Sequence, residues 1–210
     1  MTMPTHLYLF RHGTAAPCGV LIGSSDVSLA PEGESQMHAW AAVLSHIRFE
    51  KVWSSPLKRA VQSAAILLPS DSSEVELVPG LREINLGQWE GKTKKWIKKN
   101  FAQEWEARGM DIVNTLPPGG ESFSDLARRV LPVFTELCRK ATRYRDVLVT
   151  AHQAVNRVIL CHIQGLPLAS LLTIPQPTAS LCILSLAPDR MPTLTAMYSS
   201  AEEFSETLPS

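Results

Sequence analysis

The tightest constraint on this chain is the run Asp146 to Thr150 (DVLVT), whose adjacent apolar residues are too few for a helix. A short run of this kind reads as a strand buried on both of its faces, so it needs a packed layer on each side. His6 to Phe10 (HLYLF) is a second apolar run, and it stops at Arg11-His12-Gly13. Lys51-Val52-Trp53 is a minimal third run that stops at Ser54-Ser55-Pro56, and Glu74 to Val78 is a weaker fourth. Between them apolar residues recur at helical spacing: Met37, Trp40, Ala41, Leu44 and Ile47 behind Pro31, then Leu57, Ala60, Val61, Ala64 and Leu68. Phe123, Leu126, Ala127, Val130, Phe134, Leu137 and Ala141 define a long third helix, and Ala154, Val155, Val158 and Ile159 a fourth. Strands alternating with helices predict an α/β fold: a three-layer sandwich with a mostly parallel central sheet and helices on both faces.

Local signals set the expected boundaries. Pro31 starts the first helix, Ser55 is read as N-cap of the second with Pro56 at its first position, and Ser122 to Asp125 looks like a capping box. Pro132 is expected to bend the long helix. Trp96, Ile97, Phe101 and Trp105 mark one further helix, and Leu181–Leu186 with Thr193–Met197 form a terminal hairpin around Pro188-Asp189. The expectation is a single domain over residues 1–198, with 81–120 as an excursion covering the sheet edge and 199–210 as a frayed polar tail.

Composition narrows the function. Lysines plus arginines and aspartates plus glutamates both number 20 in the 210 residues, which argues against a nucleic-acid binder relying on overall basicity. No apolar run approaches the roughly 18 residues of a membrane span, so no membrane partner is expected. The opening MTMPTHLYLF lacks a basic stretch before an apolar one, so it does not read as a signal peptide. Cys18, Cys138, Cys161 and Cys182 are widely spaced and are expected to be reduced thiols of a cytoplasmic protein. Cys161-His162 diverge on a helix and have no partner spacing, so no metal is expected. Lys92, Lys94, Lys95, Lys98 and Lys99 read as a solvated face that could also draw in an anionic substrate. The apolar terminal hairpin offers an edge for a dimer without requiring one.

Ligands of open α/β sheets sit beyond the carboxyl ends of the strands. Three such ends carry Arg11 and His12, then Ser54 and Ser55 with Arg59 in the following helix, then His152. If these strands are neighbours, two arginines, two histidines and two helix starts share one crevice, which suits a phosphoryl dianion. A histidine there can attack phosphorus, and a carboxylic acid kept neutral by burial can protonate the leaving oxygen. Glu83 and Glu90, in the loop 81–91, are the candidates for that acid. Trp40, Trp96 and Trp105 read as core, and Trp89 as a wall of the substrate mouth.

These residues carry a resemblance. LYLFRHGT, LIGSSDVSLAPEGESQ, VWSSPLKRAVQSA, LREINLGQWEG, PPGGESFSDLARRV and VLVTAHQAVNRVILCHIQGLPL follow one another between about His6 and Leu186, and together they resemble the histidine phosphatase superfamily, also called phosphoglycerate-mutase-like. The pattern is most similar to its α-ribazole phosphatase and broad-specificity phosphatase branch. The resemblance implies that His12 is the phosphorylated nucleophile, that Arg11, Arg59 and His152 hold the phosphoryl group, and that Glu83 donates the proton. It places Ser24 near the bound group and implies no metal and no cofactor; Arg82, Trp89 and Gln153 stand beside these as further substrate-binding candidates read from their positions in the sequence. His152 is expected to be protonated beside an anion. Two departures stand out: Ala151-His152-Gln153 replaces the family's Gly-His-Gly, and Ala15-Ala16-Pro17-Cys18 replaces the residues that the mutase branch favours after RHG. The implied function is hydrolysis of a small phosphorylated metabolite. The narrower alternatives are an α-ribazole-5'-phosphate phosphatase and a phosphoglycerate mutase; the alternative of another class is a non-catalytic module that binds a phospholigand.

Overall fold

The computed structural model describes residues 5–68 and 74–207; the first four residues of the expected domain and the last three of the expected tail lie outside them. Six strands form one sheet: β1 (Thr5–Arg11), β2 (Lys51–Ser54), β3 (Val75–Leu77), β4 (Asp146–Ala151), β5 (Leu181–Leu186) and β6 (Thr193–Tyr198). Their order is β3-β2-β4-β1-β5-β6. The first four run parallel, and β5 pairs antiparallel with both β1 and β6.

Side chains alternate along the strands and sort themselves into two cores. Leu7, Leu9, Trp53, Val147 and Val149 face helices α5 (Phe123–Ala141) and α6 (Gln153–Ile163). Tyr8, Phe10, Val52 and Leu148 face α1 (Pro31–Val43) and α2 (Lys58–Leu67). Helices therefore cover both faces, as the strand β4 requires. Each core is built from large apolar groups, so cutting a fully enclosed ring such as Phe134 to alanine costs about 3–5 kcal/mol.

Pro31 does open α1, with Glu32 and Glu34 in its first turn complementing the helix dipole. The capping box of α5 is complete: Ser122 Oγ accepts from Asp125 N–H and Asp125 Oδ2 accepts from Ser122 N–H, both at 3.1 Å. That helix runs unbroken through Pro132.

Four expectations need correction. Ser55 is not the cap of α2, which starts at Lys58. The Asp26 carboxylate, 32 residues earlier, accepts the Lys58 N–H at 2.7 Å instead. The stretch around Trp96 is two helices, α3 (Lys94–Asn100) and α4 (Ala102–Met110), broken at Phe101. Trp96 lies on the surface there, 40% exposed, and is not core. The polar tail is not frayed as far as Thr207: α7 (Ala201–Ser205) docks Ala201 and Phe204 onto the core beside Trp40. Its acidic residues face solvent while these two apolar groups do the anchoring.

Residues 81–120 are bound mainly to α5 and to the loop after β1. Arg129 on α5 donates to the carbonyls of Gly80 and Arg82 and pairs with Glu121, whose Oε2 accepts Asn85 N–H. Leu21 and residues 91–92 exchange two backbone hydrogen bonds. Among the described residues no helix is long and apolar enough to cross a membrane.

Candidate active site

The parallel strands β2, β4 and β1 are adjacent and end in register, with Ser54 opposite Thr150 and Arg11 opposite Ala151. The ladder continues one step: His12 N–H donates to Ala151 O, and Ser55 N–H to Thr150 O. The chain leaves β1 toward β2 on one side and leaves β4 toward β5 on the other. The crevice between β1 and β4 is thus a topological switch point, where open α/β sheets place ligands. The sheet brings Arg11, His12, Ser55 and His152 to this crevice, and the first turn of α2 adds Arg59.

The chain turns sharply after His12. A Cβ on Gly13 would lie 2.4 Å from the Gly33 carbonyl oxygen, so only glycine lets the turn pack on α1. His12 is buried, with Nδ1 2.6 Å from Gly13 O and Nε2 3.1 Å from Arg59 Nε. A carbonyl only accepts and a guanidinium only donates. Nδ1 therefore carries the proton and Nε2 the lone pair. Burial, Arg59 and Arg11 all push the His12 pKa well below the ordinary imidazole value, which keeps the ring neutral.

Arg59 is 1% exposed, and its other two groups donate to Ser25 O at 2.7 Å and Gly23 O at 2.6 Å. Arg11 donates through Nη1 to Gln176 O, and burial lowers its pKa to about 10, so it stays charged at neutral pH. Gln153 donates to the same carbonyl at 3.1 Å and so stands beside Arg11. His152 is fully buried with its ring 5.1 Å from that of His12, and its Nε2 lies 2.7 Å from Ser55 Oγ. Burial, His12 and the arginines hold its pKa well below the ordinary value. In the free protein this ring is therefore neutral; the expected protonation concerned the state with an anion beside it. Among the described residues, His152 Nδ1 and Arg11 Nε are buried without a hydrogen-bond partner.

The two candidate acids separate cleanly. Glu83 is buried; its carboxyl accepts from Ile84 N–H at 2.9 Å and from Ala154 N–H, at the start of α6, at 3.1 Å. Burial raises its pKa and outweighs those two bonds and the nearby Arg59 and Arg11, which act to lower it. Glu90 is half-buried with its pKa lowered, because hydrogen bonds from Ser25, Leu86, Gly23 and Ser24 outweigh desolvation. One loop thus carries a carboxyl biased toward the neutral acid, Glu83, and another biased toward the anion, Glu90, so only Glu83 suits the proton donor's part.

Other expectations shift. Ser24 meets Glu90 through its N–H at 2.8 Å. Arg82 is exposed, and no described contact of its guanidinium joins it to this cluster. Trp89 does not wall the mouth: it is 2% exposed and packs on Trp105 at 5.5 Å. The helix starts offer fewer free N–H groups than expected, since Lys58 and Arg59 donate to Asp26 and Val27, and Ala154 to Glu83. Gln176, whose carbonyl holds Arg11 and Gln153, was missed because nothing in PQP signals a long-range acceptor. Ser55, expected both to cap α2 and to stand at the crevice, does the second: its hydroxyl meets His152.

Residues 7–199 match the model of the histidine phosphatase superfamily (branch 1). A curated relative, 6-phosphofructo-2-kinase/fructose-2,6-bisphosphatase 4 of Homo sapiens, is 35% identical over 76% of this chain and 33% of its own length. The chain thus spans about a third of that relative. The 2,3-bisphosphoglycerate-dependent phosphoglycerate mutase of Rhizobium etli is 32% identical over 87% of this chain and 91% of its own. Among solved structures, the α-ribazole phosphatase of Shigella flexneri superposes with a TM-score of 0.86 at 24% identity, over 94% of this chain and 97% of its own, a likeness of fold.

Proposed function

The chain belongs to the histidine phosphatase superfamily (branch 1), and on that premise we propose that it hydrolyses a phosphomonoester of a small metabolite through a phosphohistidine on His12. The observation that carries this reading is the fixed tautomer of His12: Gly13 O takes the Nδ1 proton, and the Nε2 lone pair faces the Arg59 guanidinium.

In the free protein Arg11 and Arg59 are charged, both imidazoles are neutral and Glu83 is biased toward its acid form. The crevice is thus a buried positive site that a phosphoryl dianion neutralises. Arg11 Nε and His152 Nδ1, two of the buried atoms left without a partner among the described residues, gain a phosphoryl oxygen on binding. For His152 this selects the tautomer in which Ser55 donates to Nε2 and Nδ1–H donates to the ligand. Arg59 Nε turns from His12 to the phosphoryl oxygens and frees the lone pair.

In the first step the bond from His12 Nε2 to phosphorus forms, the ester P–O bond breaks, and the Glu83 proton passes to the leaving oxygen. In the second, water attacks phosphorus and gives its proton to the Glu83 carboxylate, while the N–P bond breaks and returns the electron pair to Nε2. The arginines balance the charge on the equatorial oxygens throughout. Nucleophile, proton donor and charge stabilisers are all protein groups, so the reaction is expected to proceed without a metal.

The test is hydrolysis of p-nitrophenyl phosphate between pH 5 and 8, with and without EDTA, by the native protein and by His12→Ala. Activity that persists in EDTA and vanishes in the variant supports the reading; native turnover in His12→Ala overturns it. A substrate panel led by α-ribazole phosphate and the phosphoglycerates then addresses specificity.

A further inference from the structure

Glu90 has no role in the chemistry just described, yet its carboxylate is the most heavily bonded in the molecule's described part. It accepts the N–H groups of three successive residues, Gly23 at 3.0 Å, Ser24 at 2.8 Å and Ser25 at 3.4 Å. It also accepts Leu86 N–H at 3.0 Å, the Ser25 hydroxyl at 2.6 Å and the Ser24 hydroxyl at 3.4 Å. Ordinary turn closure needs one or two such bonds.

The other side of the same three residues explains the investment. Gly23 O and Ser25 O both accept from the Arg59 guanidinium, whose third group reaches His12 Nε2. The loop is a relay: its N–H groups converge on an anion and its carbonyls on a cation. The fit leaves no slack, because a Cβ on Gly23 would lie 2.3 Å from Ile84 O and 2.6 Å from Glu90 Oε1. Asp26 and Val27 extend the grip by accepting the first N–H groups of α2, which carries Arg59.

We propose that Glu90 is a positioning residue: by clasping Gly23–Ser25 it sets the Arg59 guanidinium against His12 and the phosphoryl group without touching substrate itself. This rests on the reading of His12 as nucleophile and Arg59 as phosphoryl ligand. Supporting groups of this kind usually change activity by about 10–100-fold when lost. The lowered pKa of Glu90 agrees with its task, since the ionised carboxylate is an acceptor only, whereas a proton would turn one oxygen into a donor facing these groups.

The experiment is a double-mutant cycle on the whole chain, read as kcat/KM for p-nitrophenyl phosphate and as inhibition by orthovanadate. Glu90→Gln keeps the shape but turns one acceptor into a donor that faces N–H groups. We expect kcat/KM and vanadate affinity to fall together by about 10–100-fold. In an Arg59→Lys background, where the two-pronged grip on Gly23 O and Ser25 O is already gone, Glu90→Gln should cost less than about threefold. Ser25→Ala, which removes only the 2.6 Å hydroxyl bond, keeps the test open if Glu90→Gln does not fold; a smaller loss with the same dependence on Arg59 is expected. Equal losses in both backgrounds, or a lowered unfolding temperature with unchanged kcat/KM and vanadate affinity, overturn the proposal while leaving His12 in place. A native protein with no turnover, or His12→Ala with native turnover, overturns the histidine reading and this one with it.

Discussion

Replacing Glu83 by glutamine keeps the shape but removes the transferable proton and one acceptor oxygen. Glu83 is 6% exposed and biased toward its acid form, so a neutral amide fits the charge state of its site. The amide keeps one carbonyl oxygen for either Ile84 N–H or Ala154 N–H and turns an NH2 toward the other, so about 1–3 kcal/mol of stability is lost through one unmet donor. Catalysis should suffer more, and selectively. An alkoxide cannot leave without its proton, and a positioned acid is worth about 10²–10⁴-fold, or roughly 3–5 kcal/mol of barrier. The p-nitrophenolate anion leaves unaided, so its release should slow less than about tenfold. The assay compares kcat/KM of native protein and Glu83→Gln on an alkyl phosphate and on p-nitrophenyl phosphate. Equal losses on the two substrates would mean that the proton comes from elsewhere, and a full loss on Glu90→Gln with none on Glu83→Gln would exchange the two roles.

The remaining expectations follow from the same charges. The profile of kcat/KM against pH should fall in acid as His12, held below the usual imidazole range, takes a proton, and fall in alkali as Glu83, held above the usual carboxylate range, loses one; Glu83→Gln should remove the alkaline fall alone. The folded-state pKa of Glu83 is raised, so its contribution to stability is full below the unfolded carboxyl's pKa and is lost as pH rises through the folded one; urea unfolding at several pH values should show that decline in the native protein and not in Glu83→Gln. Phe204→Ala should destabilise by about 3 kcal/mol in thermal unfolding, because the ring is enclosed by Trp40 and Tyr198; no change would mean that α7 is not docked in solution. Prolonged EDTA treatment should leave turnover within about twofold of native if the steps run on protein groups alone.

The parts of the structure that were legible in the sequence are those written in local pattern. Strand ends announce themselves where an apolar run meets Arg11-His12 or Ala151-His152, and Ser122 with Asp125 closes a box within four residues. What local pattern hides is contact at a distance. Asp26 caps α2 from 32 residues away, so Ser55, the nearest good cap, was the natural wrong choice, and its hydroxyl proved to serve His152. Trp89 looked available because its loop is polar, but Trp105 from α4 covers it. Glu83 and Glu90 are chemically alike in sequence; only burial and six donors around one of them separate acid from anion. The tail's acidic and hydroxyl-bearing residues concealed two apolar anchors, Ala201 and Phe204, spaced for one face of a short helix.

The central claim is that His12 attacks phosphorus through Nε2, because Gly13 O holds the proton on Nδ1. The most direct measurement is to quench a single turnover in alkali within milliseconds and identify the phosphorylated atom by mass spectrometry and phosphorus NMR. We expect an acid-labile, base-stable phosphate on Nε2 of His12, absent from His12→Ala. Turnover without a phosphoenzyme, or phosphate on Nδ1 or on another residue, would contradict the account.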